Sequence, residues 1–242
     1  MKIYILSIFI VMNAAGTSFS LNISPVSDSD NIIRSFLTSI FRDNKDHVEN
    51  ISHKHFKSFS EHQTPRATVL SCSDSRVQAD AFHKDPVNDL FWIRNIGNQM
   101  KPTEGSIEYG VNNLHTPILM IVGHTNCGAV HAALGDYSKE AQSVRKELDN
   151  LHLTHGINPN SAVIENVDNQ VAFALNKYKN KIANKSLVVL GLIYDFRDDL
   201  KKGRGRLILV NLNGEKDPSS IRKSIYLKDL NGADHLVVLP NN

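Results

Sequence analysis

The 242-residue chain is poor in sulfur, with 2 cysteines, Cys72 and Cys127, and 4 methionines. A small scaffold stapled by several disulfides is therefore excluded, since two cysteines make at most one bridge. An excess of charge of one sign is lacking too. The 27 basic and 25 acidic side chains leave a formal net charge of +2, so there is no basic surplus to argue for nucleic-acid binding. No apolar run approaches the ~20 residues that cross a bilayer. Internal repeats, low-complexity tracts and a long linker are absent as well. What remains, at 41% hydrophobic and 21% charged residues, is the composition of an ordinary globular protein with ample length for a core.

The first twenty residues are set apart. Met1-Lys2 forms a minimal positive start, Ile3 to Met12 is apolar apart from Tyr4 and Ser7, and small or polar residues follow to Ser18 and Ser20. This layout predicts a secretory signal peptide over residues 1–20, cleaved near Leu21. The expectation is a mature protein without a membrane span, periplasmic or secreted. Residues 21–60 are expected to form a helical arm, because Ile32, Ile33, Phe36, Leu37, Ile40 and Phe41 recur at helical spacing behind capping residues at Ser27 to Asp30. Residues 61–242 form the catalytic domain on this reading.

In that domain, short apolar and β-branched runs at Ala67–Leu70, Asp89–Ile93, Pro117–Val122, Ser186–Ile193 and Arg206–Asn211 predict strands. Helical patterns at Glu104–Leu114, Ser143–Leu153 and Ala162–Tyr178 fall between them. The alternation predicts an α/β fold, a mainly parallel sheet flanked by helices, with the helical arm in front. In such sheets chemistry gathers beyond the carboxyl ends of strands.

Both cysteines fall there. Cys72 follows Thr68-Val69-Leu70-Ser71, and Cys127 follows the third strand through Gly123-His124-Thr125-Asn126. His124 and Cys127, three residues apart, can aim at one ion, with Cys72 arriving from a different strand. Two thiolates and an imidazole suit zinc and leave a fourth position free. Spacing alone leaves a single disulfide and two plain buried thiols open. The surroundings of Cys72 favour the metal: Asp74 is near enough to reach an ion held by Cys72, and Arg76 is near enough to hold Asp74 away through a bidentate pair.

The combination of Cys72-Ser73-Asp74-Ser75-Arg76 with Gly123-His124-Thr125-Asn126-Cys127-Gly128 resembles the beta-class carbonic anhydrases. Flanking elements agree in order: Arg94-Asn95-Ile96-Gly97, Ser106 to Val111 and Val189 to Asp195. The resemblance implies zinc, one per chain, ligated by Cys72, His124 and Cys127. Asp74 then takes the fourth position or, paired with Arg76, leaves it to water. It further implies that Gln63, Phe91, Tyr109 and Gly128 bind substrate, partly across a subunit interface, so that the protein is a homodimer or homotetramer. The implied reaction is reversible hydration of carbon dioxide to bicarbonate and a proton by attack of a zinc-bound hydroxide. A carbon disulfide or carbonyl sulfide hydrolase and a non-catalytic zinc or bicarbonate module are the alternatives on the same scaffold. His53, His55, His62 and His83 are candidates to export the proton.

Two features depart from the family's pattern. A charged stretch from Phe196 to Arg204 follows Tyr194-Asp195, where members usually turn quickly to a strand. Val69 stands three residues before the first zinc cysteine, where some members carry the Trp of an inhibitory bicarbonate site. That form of inhibition is therefore not expected.

Overall fold

A computed structural model describes residues 27–228 and a short strand at 237–238; the expected signal segment, residues 1–20, lies outside them. The chain divides into two compact units, residues 1–58 and 59–242. Among the described residues no helix is long and apolar enough to cross a membrane.

In the first unit, α1 (Asp28–Asn50) begins where the capping residues placed it. Ser27 Oγ accepts from the Asp30 amide at 3.1 Å, and the Asp30 carboxylate accepts from the Ser27 amide at 2.8 Å. This reciprocal pair satisfies two amides that a helix start leaves open. A short α2 (His53–Lys57) follows. The helix α1 buries none of its residues, so its stripe of Ile32, Phe36, Ile40 and neighbours has no core of its own.

The second unit is built on a six-stranded sheet: β1 (Ala67–Cys72), β2 (Leu90–Asn95), β3 (Ile118–His124), β4 (Val188–Asp195), β5 (Arg206–Leu212) and β6 (Val237–Val238), in spatial order β2-β1-β3-β4-β5-β6. The first four are mutually parallel, β5 runs antiparallel to β4, and β6 is parallel to β5. The mainly parallel sheet expected from sequence is what forms. All six residues of β1 are buried, as in a strand covered on both faces.

Successive side chains serve opposite faces. Leu70, Ile121 and Ile193 pack with α6 (Pro159–Lys177), whereas Val69, Val122 and Leu192 pack with Ile221 of α8 (Pro218–Lys223). Helix α6 starts at Asn158, whose side chain accepts from the Ser161 amide at 3.0 Å, with Pro159 in the first turn. Its buried residues Ala162, Val163, Asn166, Val167, Gln170, Val171 and Ala174 repeat at helical period. Two glycines let it lie close on the sheet. A Cβ on Gly123 would meet Val167 Cγ2 at 2.7 Å, and one on Gly191 would meet Val167 Cγ1 at 2.9 Å.

Two expected helices are shorter than their patterns. The segment Glu104–Leu114 is an α-helical turn, α3 (Glu104–Glu108), that widens into a π-type turn over Tyr109–Asn113. Gly110 presses against Thr68, so closely that a Cβ there would fall 2.2 Å from Thr68 Oγ1. Its carbonyl accepts from both the amide and the hydroxyl of Thr116 instead of continuing the ladder. The segment Ser143–Leu153 is helical over Gln142–Leu148, which is α5 following α4 (Gly128–Leu134). Its end is tied off by the Asn150 side chain donating to the Lys146 carbonyl at 2.9 Å, a local bond that competes with further helix. A last short helix, α7 (Lys179–Ala183), leads into β4.

Candidate metal centre

Adjacent parallel strands bring the three sequence-selected ligands together. Cys72 is the last residue of β1 and His124 the last of β3, and β1 pairs with β3. Cys127 sits at the N-cap of α4 after a tight turn in which Asn126 takes a left-handed backbone, φ 55°. The two sulfurs and an imidazole nitrogen all lie within 4.8 Å of one another, and all three residues are buried. The sulfurs are 3.9 Å apart and unbridged.

The imidazole tests whether this cluster suits an ion. His124 Nδ1 lies 3.0 Å from the Thr125 carbonyl, an acceptor that assigns the proton to Nδ1 and the lone pair to Nε2. His124 Nε2 is buried and, among the described residues, has no hydrogen-bond partner. A buried orphan acceptor is costly unless something fills its position. Facing two thiols, it fits a soft-ligand cation such as zinc.

The sulfurs have their own support. The Gly97 amide donates to Cys72 Sγ at 3.4 Å, and Asn166 of α6 holds the Gly97 carbonyl at 2.9 Å. Of the coupled thiols Cys72 is pulled down, chiefly by the Cys127 thiol donating to it, against the opposing effect of burial. Cys127 is pushed up by that same neighbour and by burial. Both sulfurs would hold a divalent cation as thiolates, with release of their protons.

Asp74 and Arg76 form the pair expected from sequence. Arg76 Nε donates to Asp74 Oδ1 at 2.8 Å and an Arg76 terminal nitrogen to Oδ2 at 2.6 Å, while the Arg76 amide caps Oδ1 at 3.0 Å. Arg76 holds the carboxylate well below the usual range, against the opposing effect of partial burial. The pair engages both carboxylate oxygens, and Oδ2 lies 3.9 Å from His124 Nε2. Arg94 of β2 fixes the loop beneath by donating to the carbonyls of Cys72 at 3.0 Å and Asp74 at 2.6 Å.

Beside the cluster opens a cavity of about 370 Å³. Cys72, Asp74 and Gly128 meet Ile96, Ala129 and Val144 on its wall. Gly128 is thus where the sequence placed it, and a Cβ there would touch nothing within 4 Å. Gln63 lies in an exposed loop. Phe91 and Tyr109 pair with each other, ring centroids 5.9 Å apart, and neither borders this cavity. Sequence reasoning missed the roles of Arg94, Gly97, Ile96 and Val144. Arg94 to Gly97 stood out as a run, but its contacts with the Cys72 loop depend on strand pairing that no spacing reveals.

A carbonic anhydrase family model matches residues 67–201, more than half of the chain and inclusive of every ligand of the cluster. The chain belongs to the carbonic anhydrase family. Carbonic anhydrase 2 of Mycobacterium tuberculosis (strain CDC 1551 / Oshkosh) is 41% identical over 73 residues, 30% of this chain and 35% of that protein. Chloroplastic beta carbonic anhydrase 5 of Arabidopsis thaliana is 26% identical over 168 residues, 60% of this chain and 56% of its own length. The matched segments thus span roughly a third to just over half of these carbonic anhydrases. The same fold is seen in the beta-carbonic anhydrase CcaA, with TM-score 0.64 and 23% identity over 73% of this chain and 88% of that one. The beta-carbonic anhydrase CafA of Aspergillus fumigatus gives TM-score 0.56 and 24% identity over 80% and 99%.

Proposed function

We propose that the protein is a zinc enzyme that reversibly hydrates carbon dioxide to bicarbonate and a proton. The observation that carries this reading is the buried, partnerless His124 Nε2 facing two thiols, with the Asp74–Arg76 pair and a partly apolar cavity alongside. Zinc held by Cys72, His124 and Cys127 would make a coordinated water acidic enough to ionise near neutrality, a property for which carbonic anhydrase is the reference case.

The chain's own residues supply the remainder. Asp74, kept ionised by Arg76, accepts a hydrogen bond from the nucleophile and fixes its lone pair toward the substrate. Ile96, Ala129 and Val144 give carbon dioxide an apolar wall, and the bare Gly128 leaves it room. The Gly97 amide withdraws charge from Cys72, which counters the electron donation of two thiolates. Gln63, Phe91 and Tyr109 serve the site of a second subunit in a dimer or tetramer, consistent with their absence from this chain's own cavity wall. The apolar stripe of α1 packs on that second copy. Residues 1–20 direct the chain to the periplasm or exterior.

Stopped-flow hydration on purified, metal-analysed protein tests the proposal. About one zinc per chain and hydration well above the uncatalysed rate are expected. Zinc-loaded protein with no hydration above background at alkaline pH, where Asp74 ligation is weakest, refutes it.

A further inference from the structure

The segment after β4 reaches back over the metal cluster. Asp195 ends β4 fully buried, and its carboxylate is used up structurally: it accepts from the Thr125 hydroxyl at 3.1 Å and from the amides of Arg197, Asp199 and Leu200 at 3.2, 3.0 and 2.8 Å. Thr125 lies between His124 and Cys127 in sequence, so this one buried anion ties the loop to the metal-binding turn. The loop therefore holds Phe196 in a fixed place. Its ring stacks on the His124 ring, centroids 5.9 Å apart and planes 26° from parallel. The Arg76 guanidinium carbon lies 4.5 Å from the same ring's centroid. One aromatic side chain thus touches both a metal-ligand candidate and the cation that holds Asp74.

We propose that Phe196 is a positioning residue: its ring seats the Arg76 guanidinium so that Asp74 stays paired with Arg76 and off the metal. The inference rests on the hydratase reading for its consequence in rate, though not for the arrangement itself. The physical basis is the attraction of a partly desolvated cation to an aromatic face. Arg76 is about half exposed, with 46% of its side-chain surface open. Without the ring it gains freedom to swing toward solvent. Asp74, with Oδ2 already 3.9 Å from His124 Nε2, then has the metal as its nearest competing cation. A ligated Asp74 would occupy the position that the nucleophile needs.

Crystal structures and stopped-flow kinetics of zinc-loaded wild type, Phe196→Leu and Phe196→Tyr decide the matter. In Phe196→Leu an Asp74 oxygen is expected at bonding distance from zinc, about 2.0–2.2 Å, and kcat/KM is expected to fall about tenfold with zinc content unchanged. Phe196→Tyr keeps the ring and restores the Asp74–Arg76 pair and most of the rate. Asp74 remaining on Arg76 in Phe196→Leu overturns the proposal. So does loss of the pair in Phe196→Tyr. Should Phe196→Leu not fold, Phe196→Met carries the same comparison, and failure of both to fold makes Phe196 a structural residue and overturns the proposal. If wild type binds zinc but hydrates nothing, the catalytic reading fails while the Asp74 arrangement still judges Phe196.

Discussion

Gly123 precedes the candidate ligand His124 and lies under α6, where an added methyl has nowhere to go. A Cβ there would sit 2.7 Å from Val167 Cγ2, 3.3 Å from Ile193 Cδ1 and 3.5 Å from Val163 Cγ1. Val167 is fully buried in α6, and a β-branched side chain in a helix has essentially one rotamer, so it cannot turn away. Gly123→Ala is therefore an overpacking change, expected to destabilise by about 1–3 kcal/mol. Val167→Ala alone removes two buried methyls and should cost about 2 kcal/mol through lost burial and a small cavity. In the double variant each change relieves the other, because the new methyl enters the space that Val167 vacated. The double-mutant cycle should show a favourable coupling of about 1–2 kcal/mol. Urea denaturation read by circular dichroism measures it, and a Gly123→Ala loss of 2 kcal/mol corresponds to about 4–8 °C in Tm for a domain of this size. Strictly additive losses would refute the reasoning, since they would mean that α6 adjusts as a body and Val167 is not the obstacle.

Other outcomes follow from the same geometry. Cys127→Ser should lower zinc from about one per chain to a small fraction by metal analysis, while Arg76→Ala should keep zinc and lose about tenfold or more in kcat/KM through release of Asp74. Stripping the metal with a chelator in the presence of oxidised glutathione should join Cys72 to Cys127, whose sulfurs are 3.9 Å apart, and abolish both free thiols in a thiol titration until reductant is added. Tyr178→Phe should be neutral or slightly stabilising in thermal melts, because the buried Tyr178 hydroxyl has no hydrogen-bond partner among the described residues. Burial pushes that phenol up to about 12. The folded form therefore holds the proton more tightly than the unfolded chain, and stability present below pH ~10 declines as pH rises toward 12. The variant should lack that alkaline decline.

The candidate metal ligands were legible because they are rare residue types at short spacing, placed by strands whose apolar runs are unmistakable. Asp74 and Arg76 were legible for the same reason, since two residues apart on a turn they can meet without help from the rest of the fold. The supports of the site were not. Gly97 reaches Cys72 only because β2 lies beside β1, Asn166 reaches Gly97 across 69 positions, and Val144 joins the cavity from a helix far along the chain. Periodicity missed the change to a wider π-type turn after Glu108 and overran the helix that ends at Leu148. In both places the apolar pattern continues while a local polar bond from Thr116 or Asn150 diverts the backbone. For Gln63, Phe91 and Tyr109 the resemblance named a role that a single chain does not display, because their cavity is expected to belong to another copy.

The sheet reverses direction once in its main body, between β4 and β5. A parallel continuation would have carried the chain through a crossover back to the opposite end of the strands. The antiparallel turn instead keeps residues 196–205 at the rim where Cys72, His124 and Asp195 end their strands. Four of these ten positions, Asp198, Lys201, Gly203 and Gly205, have left-handed backbone, so the loop is folded by its own turns and by Asp195, not by the sheet. Strand polarity has thus isolated an exchangeable module at the rim. Its outer turns hang on no sheet hydrogen bond beyond the β4–β5 pairing, and its inner end lies against the candidate metal cluster.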